Sequence, residues 1–257
     1  MKAAVIQPDI QWKSPEANRE RIERMIAENC RGTDITVLPE MFNTGFSMSP
    51  SMIAEKMNGE TVKWMSTAAE KYGTAIAGSI AIEDNGRYYN RFLFAMPDGN
   101  TLHSDKRHLF RMAGEDKVYS EGENKLIIEY KGWKILPQVC YDLRFPVWSR
   151  NTAKDPYDLV IYTASWPADR AFAWNALCPA RAIENQCYAI CCNRTGDDPR
   201  LHYSGDSAIY DFLGKKIAES EKDREGVIVA DLYLDKLNDF RKNFPAWMDA
   251  DEYTIKP

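Results

Sequence analysis

The sequence predicts an α/β protein whose β-sheets are covered on their outer faces by helices. Apolar runs of strand length alternate with amphipathic helical patterns through most of the 257 residues. Hairpin turn signals join two of the strand pairs, so antiparallel strands accompany the strand–helix–strand units. The chain contains no internal repeat, low-complexity segment or linker rich in Pro, Gly or Ser. We therefore expect one domain spanning residues 1–257.

The first half of the chain carries clear start and turn signals. Ser14-Pro15 offers an N-cap followed by proline at the first helical position. Asp84-Asn85-Gly86 is a strong hairpin signal between two strand-like runs. The predicted elements of this half are a strand at 2–7, a helix at 15–30, a strand at 35–39, a helix at 61–72 and strands at 74–83 and 87–96.

The second half continues the alternation. Lys131-Gly132 joins two short strands, and a turn at 213–215 follows the first arm of a last hairpin. Pro179 lies inside a helical pattern, so we expect that helix to kink or restart there. The predicted elements are strands at 125–130, 133–140, 157–164 and 187–193, a helix at 170–185, and a hairpin of 205–211 with 226–232.

The tail at 243–257 carries Phe244, Trp247 and Tyr253 without clear periodicity. Aromatic side chains of this size are usually covered in a folded protein. We therefore expect the tail to pack against its own domain or to lie at an interface with a second copy of the chain.

Composition excludes several classes of protein. Lys and Arg number 33 against 38 Asp and Glu, so the net charge of −5 does not suit a general nucleic-acid binder. The longest weakly polar stretch, 74–82, is about half the ~18 residues that a membrane-spanning helix needs. The N-terminal apolar run breaks after four residues, which is too short for a secretion signal. These features predict a cytoplasmic protein that binds neither membrane nor nucleic acid.

The six cysteines show no disulfide-dense spacing, and a chain of this length can form a core without disulfides. We expect free thiols in a reducing compartment. The sequence has no CxxC motif and only three histidines, so no metal site is expected.

Three polar residues end a predicted apolar strand or lie in a loop after one. They are Glu40 within LPEMF, Lys106 within DKRHLF and Cys140 within PQVCYDLRFP. Strand ends are where α/β proteins place their sites. An ordinary surface glutamate, a solvated basic patch or a buried core cysteine would give the same local patterns. Cys140 gives the sharpest signal, because a cysteine at a strand-to-turn junction lies near free backbone N–H groups.

Two hydrolytic chemistries use a cysteine nucleophile. A papain-like pair needs a histidine base, and none of His103, His108 and His202 lies in a context that marks it as one. In a Cys–Glu–Lys set, the glutamate takes the thiol proton and the lysine stabilises negative charge on the substrate oxygen. Glu40, Lys106 and Cys140 supply these three groups, which favours the second chemistry.

The segments LPEMF, DKRHLF and VCYDLRFP resemble the three signature regions of the nitrilase (carbon–nitrogen hydrolase) superfamily. The resemblance extends over nearly the whole chain, through ARAIEN at 180–185, Asn193-Arg194 and GDS at 205–207. Within the superfamily the sequence is similar to the ω-amidase branch, especially its bacterial members, in CYDLRFPVWSRN and ASWP. The resemblance implies a four-layer α-β-β-α sandwich with two central mixed sheets, and a homodimer or a higher homo-oligomer.

The resemblance also implies roles for individual residues. Glu40 would be the general base, Lys106 the lysine that stabilises the oxyanion, and Cys140 the nucleophile. Glu115 matches the second glutamate of the superfamily, which supports the lysine and positions the substrate. The backbone N–H of Tyr141 would complete the oxyanion hole. No metal or organic cofactor is implied.

An ω-amidase acts on the monoamide of a small dicarboxylic acid, so its pocket must hold a carboxylate. The implied substrates are 2-oxoglutaramate and 2-oxosuccinamate, and the products an oxo acid and ammonia. Arg144 is the candidate for the carboxylate, because a guanidinium pairs with it in a bidentate manner; alternatively, Arg144 only anchors its loop. Trp166, Phe42 and Phe110 are expected to wall the pocket, although each could be plain core.

Other functions use the same three residues. A nitrilase, a carbamoylase or another aliphatic amidase would carry the same Cys–Glu–Lys set, and only the pocket distinguishes them. A non-catalytic binding protein on this fold is less consistent with the sequence, because Glu40, Lys106 and Cys140 are all present.

Overall fold

Two six-stranded sheets lie face to face between layers of helices in the computed structural model, which describes residues 1–251 and 253–255 except for the side chain of Trp247. The helices are α1 (Pro15–Asn29), α2 (Pro50–Ile53), α3 (Glu60–Tyr72), α4 (Pro146–Ser149), α5 (Ala171–Asn185) and α6 (Leu234–Asn243). The strands are β1 (Lys2–Gln7), β2 (Ile35–Val37), β3 (Ala75–Asp84), β4 (Arg87–Ala95), β5 (Thr101–Asp105), β6 (Ile128–Tyr130), β7 (Trp133–Val139), β8 (Leu159–Ala164), β9 (Tyr188–Asn193), β10 (Thr195–Asp197), β11 (His202–Ser204), β12 (Ala208–Tyr210), β13 (Lys216–Glu219) and β14 (Gly226–Asp231).

Both sheets are mixed. The first has the order β14-β1-β2-β3-β4-β5, in which β1, β2 and β3 are parallel. The second has the order β13-β12-β9-β8-β7-β6, in which β7, β8 and β9 are parallel. A separate hairpin of β10 and β11 follows β9. The predicted fold class, two mixed sheets covered by helices, is confirmed.

The central strands are buried on both faces, which explains their continuous apolar sequences. On β1, Ala3 and Val5 face the second sheet, whereas Ala4 and Ile6 belong to the core beneath α1 and α3. The two sheets touch directly, since the Cys192 thiol on β9 lies 3.3 Å from the carbonyl oxygen of Ile6. This packing brings together the carboxyl ends of strands from different sheets, where the polar motifs stand.

The prediction of a last hairpin between 205–211 and 226–232 is wrong. β12 instead pairs with β13, across a turn in which the Asp211 carboxylate accepts the backbone N–H groups of Leu213 and Lys215. β14 crosses to the first sheet and pairs antiparallel with β1, from Lys2 opposite Asp231. The short strands β5, β10, β11 and β13 were not predicted, because runs of three to five partly polar residues lack a clear period.

Of the predicted kink or restart at Pro179, the restart is wrong, since α5 runs through Pro179 without a break. A proline removes only one backbone donor, and burial of Cys178 and Ala182 against the second sheet holds the helix on both sides. Within the described residues, every helix is too short or too polar to span a bilayer. All six cysteines are unpaired, as predicted, while the cytoplasmic location stays a prediction.

The tail makes contacts with its own domain. The Tyr253 hydroxyl donates to the Val147 carbonyl oxygen at 2.8 Å, and the side chain of Gln186 donates to the Phe244 carbonyl oxygen at 2.7 Å. The side chain of Trp247 and residues 252, 256 and 257 lie outside the described part of the chain. An oligomer interface at the tail, like the homodimer itself, stays a prediction.

Candidate active site

Glu40, Asn90, Lys106 and Glu115 form one buried hydrogen-bonded group, which we call the inner cluster. Lys106 Nζ donates to Glu40 Oε1 at 2.8 Å and to the two carboxylate oxygens of Glu115 at 3.0 and 2.9 Å. Asn90 Nδ2 donates to Glu40 Oε1 at 2.8 Å and to Glu115 Oε1 at 3.1 Å. One ammonium therefore lies between two carboxylates, and all three charged side chains are excluded from solvent.

The two sheets position Glu40 jointly. It follows β2 of the first sheet, and its Oε2 accepts the backbone N–H of Ser165, just after β8 of the second sheet, at 2.9 Å. The Ser165 hydroxyl donates to the Glu40 carbonyl oxygen at 3.0 Å. Asn90 is oriented by the Ser79 hydroxyl, which donates to its Oδ1 at 2.9 Å. Each oxygen of the Glu40 carboxylate thus has a partner that fixes its direction.

Burial and mutual charge set the protonation of the inner cluster. Burial alone would lower the pKa of Lys106, but the Glu115 and Glu40 carboxylates outweigh that effect and raise it. Lys106 is therefore an ammonium at neutral pH. Burial raises the pKa of Glu115, against the opposing charge of Lys106, and the neighbouring Glu40 raises it further. Glu115 is held in place by the backbone N–H of Phe110, 2.5 Å from its Oε2.

Cys140 occupies a strained turn at the end of β7. Its φ is +47°, a left-handed conformation that is uncommon for non-glycine residues and strains the backbone. Asp142 holds this turn, because its Oδ2 accepts the Val139 N–H at 2.9 Å and its Oδ1 accepts the His108 N–H at 2.9 Å. The same Oδ1 lies 2.8 Å from His108 Nδ1. The turn directs Cys140 toward the inner cluster and leaves 9% of it exposed.

The Cys140 thiol is neutral in the resting protein. Burial raises its pKa, and the negative charge of the Glu40 carboxylate raises it further against the opposing charge of Lys106. A neutral thiol is a weak nucleophile, so attack requires a base that removes its proton. Glu40 is close enough for its charge to raise the pKa of the thiol, so Glu40 can serve as that base.

A cavity of about 390 Å³ opens onto Cys140. Its lining residues are Trp12, Lys13, Phe46, Ser47, Met48, Ser49, Phe110, Ala113, Cys140, Tyr141, Arg144, Ser165, Trp166, Pro167, Arg170, Asp198, Pro199, Arg200, Leu201 and Tyr203. Among these described residues, four are cationic and only Asp198 is acidic. We call the four cations, Lys13, Arg144, Arg170 and Arg200, the cationic rim.

The structure places most of the predicted pocket residues at this cavity. Tyr141, Arg144, Trp166 and Phe110 line it, and the Arg144 guanidinium stacks over the Trp166 ring at 4.9 Å. Within the described residues Arg144 makes no ion pair, so Arg144 does not anchor its loop through a salt bridge.

The prediction that Phe42 walls the pocket is wrong. Phe42 is fully buried in the core between the first sheet and its helices, with its ring centroid 5.9 Å from that of Trp64. It lies two residues beyond Glu40, where the chain has already turned back under the sheet. Of the two aromatic residues that follow Glu40, Phe46 is the one that reaches the cavity, and Lys106 Nζ lies 5.1 Å from its ring.

Sequence reasoning missed several residues of the site. Asn90 stands in the apolar run of β4, where a buried amide is an exception that requires partners. Ser165 lies in the ASWP segment, whose resemblance to the ω-amidase branch assigned no role to the serine. Arg170 and Arg200 follow from no periodicity or motif, because they come from loops that meet only in the folded chain.

No histidine is among the residues that line the described cavity, which leaves the Cys–His alternative without a base there. His108 lies behind the nucleophile turn, stacked on Phe145 at 3.9 Å between ring centroids. Within the described residues, no group of three or more His, Cys, Asp or Glu side chains is arranged to hold a metal ion. The site therefore has a thiol, a base and an ammonium as its chemical groups.

The fold and this site define a hydrolase of carbon–nitrogen bonds. The family model "Carbon-nitrogen hydrolase" matches residues 2–242, and the chain belongs to that family. The predicted resemblance to the nitrilase superfamily is confirmed. Saccharomyces cerevisiae Nit3, a member of branch 10 of that superfamily, superposes with a TM-score of 0.85 at 28% identity, covering 95% of this chain and 94% of Nit3.

Proteins that share more of this sequence point to one branch of the family. The chain is 43% identical to omega-amidase YafV of Escherichia coli K12 over 256 residues, 99% of this chain and 98% of YafV. It is 32% identical to the 2-oxoglutaramate amidase of Bacillus subtilis, with 95% of each chain covered. The crystal structure of XC1258 from Xanthomonas campestris, which carries an arsenic adduct in its active site, has a TM-score of 0.96 at 41% identity, covering 100% of this chain and 99% of XC1258.

Proposed function

We propose that this protein hydrolyses the terminal amide of a small dicarboxylic monoamide, 2-oxoglutaramate or 2-oxosuccinamate, to the oxo acid and ammonia. The observation that carries the proposal is a cavity that opens onto Cys140, beside the buried inner cluster, and is lined by the cationic rim. A cationic cavity attracts a substrate that carries a carboxylate away from the amide. The similarity to proteins named omega-amidase and 2-oxoglutaramate amidase supports the same substrate class.

The reaction begins with the thiol. Glu40 accepts the proton of Cys140 as the sulfur attacks the amide carbon, and the carbonyl oxygen becomes an oxyanion. The Lys106 ammonium and the backbone N–H of Tyr141 stabilise that oxyanion. A single donor of this kind typically contributes about 10²–10³ in rate.

Collapse of this intermediate releases ammonia. The carbon–nitrogen bond breaks, the nitrogen takes the proton held by Glu40, and a thioester remains on Cys140. Water then attacks the thioester while Glu40 accepts its proton, and the carbon–sulfur bond breaks. The products are the oxo acid and a thiol that has regained its proton, so the enzyme returns to its initial state.

Glu115 supports the lysine. Both of its oxygens accept hydrogen bonds from Lys106, and its charge is one cause of the raised pKa of Lys106. Without Glu115, the Lys106 ammonium would lose two of its three hydrogen bonds to carboxylate oxygens. We therefore assign Glu115 the role of keeping Lys106 charged and directed toward the substrate oxygen.

The far end of the substrate would meet the rim. Arg144 and Arg170 stack on Trp166 and Phe110, at 4.9 and 5.2 Å from the ring centroids, on the walls of the cavity. Stacking orients a guanidinium while its N–H groups stay free for a planar acceptor such as a carboxylate. We propose that Arg144 pairs with the substrate carboxylate.

The test is ammonia release from 2-oxoglutaramate, 2-oxosuccinamate, glutamine and a simple aliphatic nitrile, with the wild type, Cys140→Ala and Cys178→Ala. We expect turnover of the oxo-amides only, lost in Cys140→Ala and retained in Cys178→Ala, because Cys178 is fully buried on α5 away from the cavity. Mass spectrometry of a quenched reaction should show the acyl group on Cys140. Turnover of the nitrile, or equal turnover of glutamine, would replace this substrate class with another of the family.

A further inference from the structure

Arg194 is a fully buried arginine just beyond the end of β9, and its guanidinium is bonded to backbone carbonyls. Nη2 donates to the carbonyl oxygens of Ile10 at 3.0 Å and Asp197 at 3.1 Å. Nε donates to the carbonyl oxygen of Thr195 at 3.1 Å. The side chain therefore connects the segment after β1 with the β10–β11 hairpin.

A third segment also meets Arg194. An added Cβ on Gly45 would lie 3.6 Å from Arg194 Nη1 and 2.9 Å from the Trp12 ring, so the backbone at Gly45 packs directly against both side chains. The Lys13 N–H donates to the Thr44 carbonyl oxygen at 2.8 Å, so this hydrogen bond joins the segment after β1 to the segment that contains Gly45.

The aromatic ring of Tyr203 completes the surroundings of Arg194. The guanidinium carbon lies 4.5 Å from the ring centroid, and the Tyr203 hydroxyl donates to Asp198 Oδ2 at 2.7 Å. Tyr203 and Asp198 both line the cavity. Arg194 itself does not line it.

These contacts coincide with one side of the cavity. The lining residues at 12–13, 46–49, 198–201 and 203 belong to the three segments that meet at Arg194, and we call them the outer wall. Among the described contacts, Arg194 has none with Glu40, Lys106, Glu115 or Cys140. Arg194 thus lies behind the substrate-facing wall and apart from the reacting groups.

Arg194 is poorly compensated as a buried charge. Its nearest carboxylate is Asp9, at 3.6 Å and half exposed, and its Nη1 has no hydrogen-bond partner among the described residues. Burial lowers the pKa of Arg194. A buried cation with this environment contributes little stability through charge, whereas its rigid fork of donors can set the distance between three chain segments.

We propose that Arg194 is a positioning residue that holds the outer wall at the spacing required by the carboxylate-bearing end of the substrate. Its loss should therefore weaken substrate binding while the chemical step at Cys140 continues. The choice of assay substrate rests on the proposed function, whereas the position of the wall does not.

The experiment compares Arg194→Lys and Arg194→Met with the wild type in steady-state assays on 2-oxoglutaramate. We expect KM to rise at least about 10-fold while kcat stays within about 3-fold, since a wall displaced by a fraction of an ångström weakens binding first. Arg194→Lys should recover part of the loss, because an ammonium can keep one carbonyl contact. Arg224→Met is the matched control, because Arg224 is an exposed arginine paired with Glu221.

Two readouts do not depend on turnover. Amide hydrogen exchange should accelerate at 10–13 and 197–203 and stay unchanged at 138–142. The rate at which iodoacetamide alkylates Cys140 should also stay within about 2-fold of the wild type, since the nucleophile turn is held by other residues. If the wild type turns over neither oxo-amide, the proposed function fails, and the exchange data still decide the role of Arg194.

Gly45→Ala tests the same junction without removing a charge. Gly45 has a φ of +77°, which alanine adopts only with strain, and an alanine Cβ would press against the Trp12 ring. The substitution should therefore displace the outer wall from the side opposite Arg194 and raise KM, as in Arg194→Met. This variant also serves if Arg194→Met fails to fold. The proposal is overturned if kcat falls with KM unchanged, or if exchange rises equally throughout the chain. Wild-type KM in both Arg194→Met and Gly45→Ala would overturn it as well.

Discussion

The inner cluster and the cationic rim have similar numbers of charged side chains, but the first set is buried and the second is in contact with solvent. In the inner cluster, Lys106 and the two glutamates are fully buried, and each charged atom has a short, directed hydrogen bond. In the rim, Arg144 and Arg200 are exposed, Lys13 and Arg170 are half-buried, and none of the four has a carboxylate partner among the described residues. The inner cluster is thus preorganised before substrate arrives, whereas the rim keeps its donors free for the substrate.

This difference separates two tasks within one cavity. Preorganised charge in a dry site stabilises a transition state without reorganisation at the moment of reaction. Solvated cations on aromatic walls reduce the stability of the fold very little. Their side chains can also change rotamer to pair with the carboxylate of a different acid. Changes in the inner cluster should therefore affect kcat for every substrate, while changes in the rim should affect specificity.

The largest effect is expected for Lys106→Gln. The change removes an oxyanion donor, worth about 10²–10³ in rate, and leaves two carboxylates facing each other in the core. Breaking a buried pair typically costs about 3–5 kcal/mol of unfolding free energy, so stability should fall as well. Both kcat on 2-oxoglutaramate and the urea unfolding midpoint should be measured. Lys216→Gln, at an exposed lysine paired with Glu219, is the control, and near-normal kcat in Lys106→Gln would remove the lysine from the mechanism.

Glu115→Gln should have the next largest effect. The amide keeps the shape, but it loses the charge that holds Lys106 as an ammonium and presents N–H donors toward an existing donor. We expect kcat to fall about 10–100-fold with KM little changed, because a misdirected oxyanion donor acts on the transition state. Glu121→Gln is a surface control on the same segment. A rise in KM at constant kcat would instead assign Glu115 to substrate binding.

Arg144→Ala should act on the carboxylate substrate alone. Loss of a charge-assisted pair should lower kcat/KM for 2-oxoglutaramate about 10-fold or more, and kcat/KM for the neutral amide propionamide should change little. Arg170→Ala, on the facing aromatic wall, should give a smaller effect of the same kind. Equal losses on both amides would mean that Arg144 shapes its loop and does not recognise the carboxylate.

The smallest effect concerns thiol labelling. Cys140 is 9% exposed and lines the cavity, whereas the other five cysteines are fully buried, so iodoacetamide should alkylate Cys140 first. Because burial and Glu40 raise its pKa, the thiolate fraction at pH 7 is below that of a free cysteine and grows as pH rises. The alkylation rate, followed by peptide mass spectrometry, should therefore increase through pH 9. A plateau below pH 8 would show an ionised resting thiol and contradict the assignment of Glu40 as its base.

Local signals were sufficient for the elements that build the two sheets. Ser14-Pro15 marks the start of α1, where Pro15 takes the first helical position although the Ser14 hydroxyl makes no cap hydrogen bond. Asp84-Asn85-Gly86 marks the turn between β3 and β4, because turn chemistry acts within a few residues. The same reasoning failed for β14, which pairs with β1 across more than 200 residues of sequence. Pairing over that separation depends on which sheet edge is open, and no local pattern encodes it.

The candidate site divides in the same way. Glu40, Lys106 and Cys140 could be found from the sequence, because Glu40 and Cys140 end apolar strands and all three lie in motifs that resemble the signature regions of the superfamily. Asn90 could not be found, because its role depends on a hydrogen bond to Glu40, 50 residues away. Phe42 was misplaced for a related reason, since an aromatic residue beside a site motif fits a core or a pocket equally well.

The sequence alone determined the fold class, the family and the three groups proposed to carry the chemistry, because these depend on strand periodicity and on motifs of a few contiguous residues. Only the tertiary structure decided how the charges pair, which aromatic residues face the cavity, and that Arg144, Arg170, Arg200 and Lys13 converge on one opening. It also decided that Arg194 joins three segments of the outer wall. One physical reason covers these features. The burial of a side chain, the pairing of two charges and the convergence of cations on a cavity all depend on distances between chain segments, and those distances are set only when the two sheets pack together.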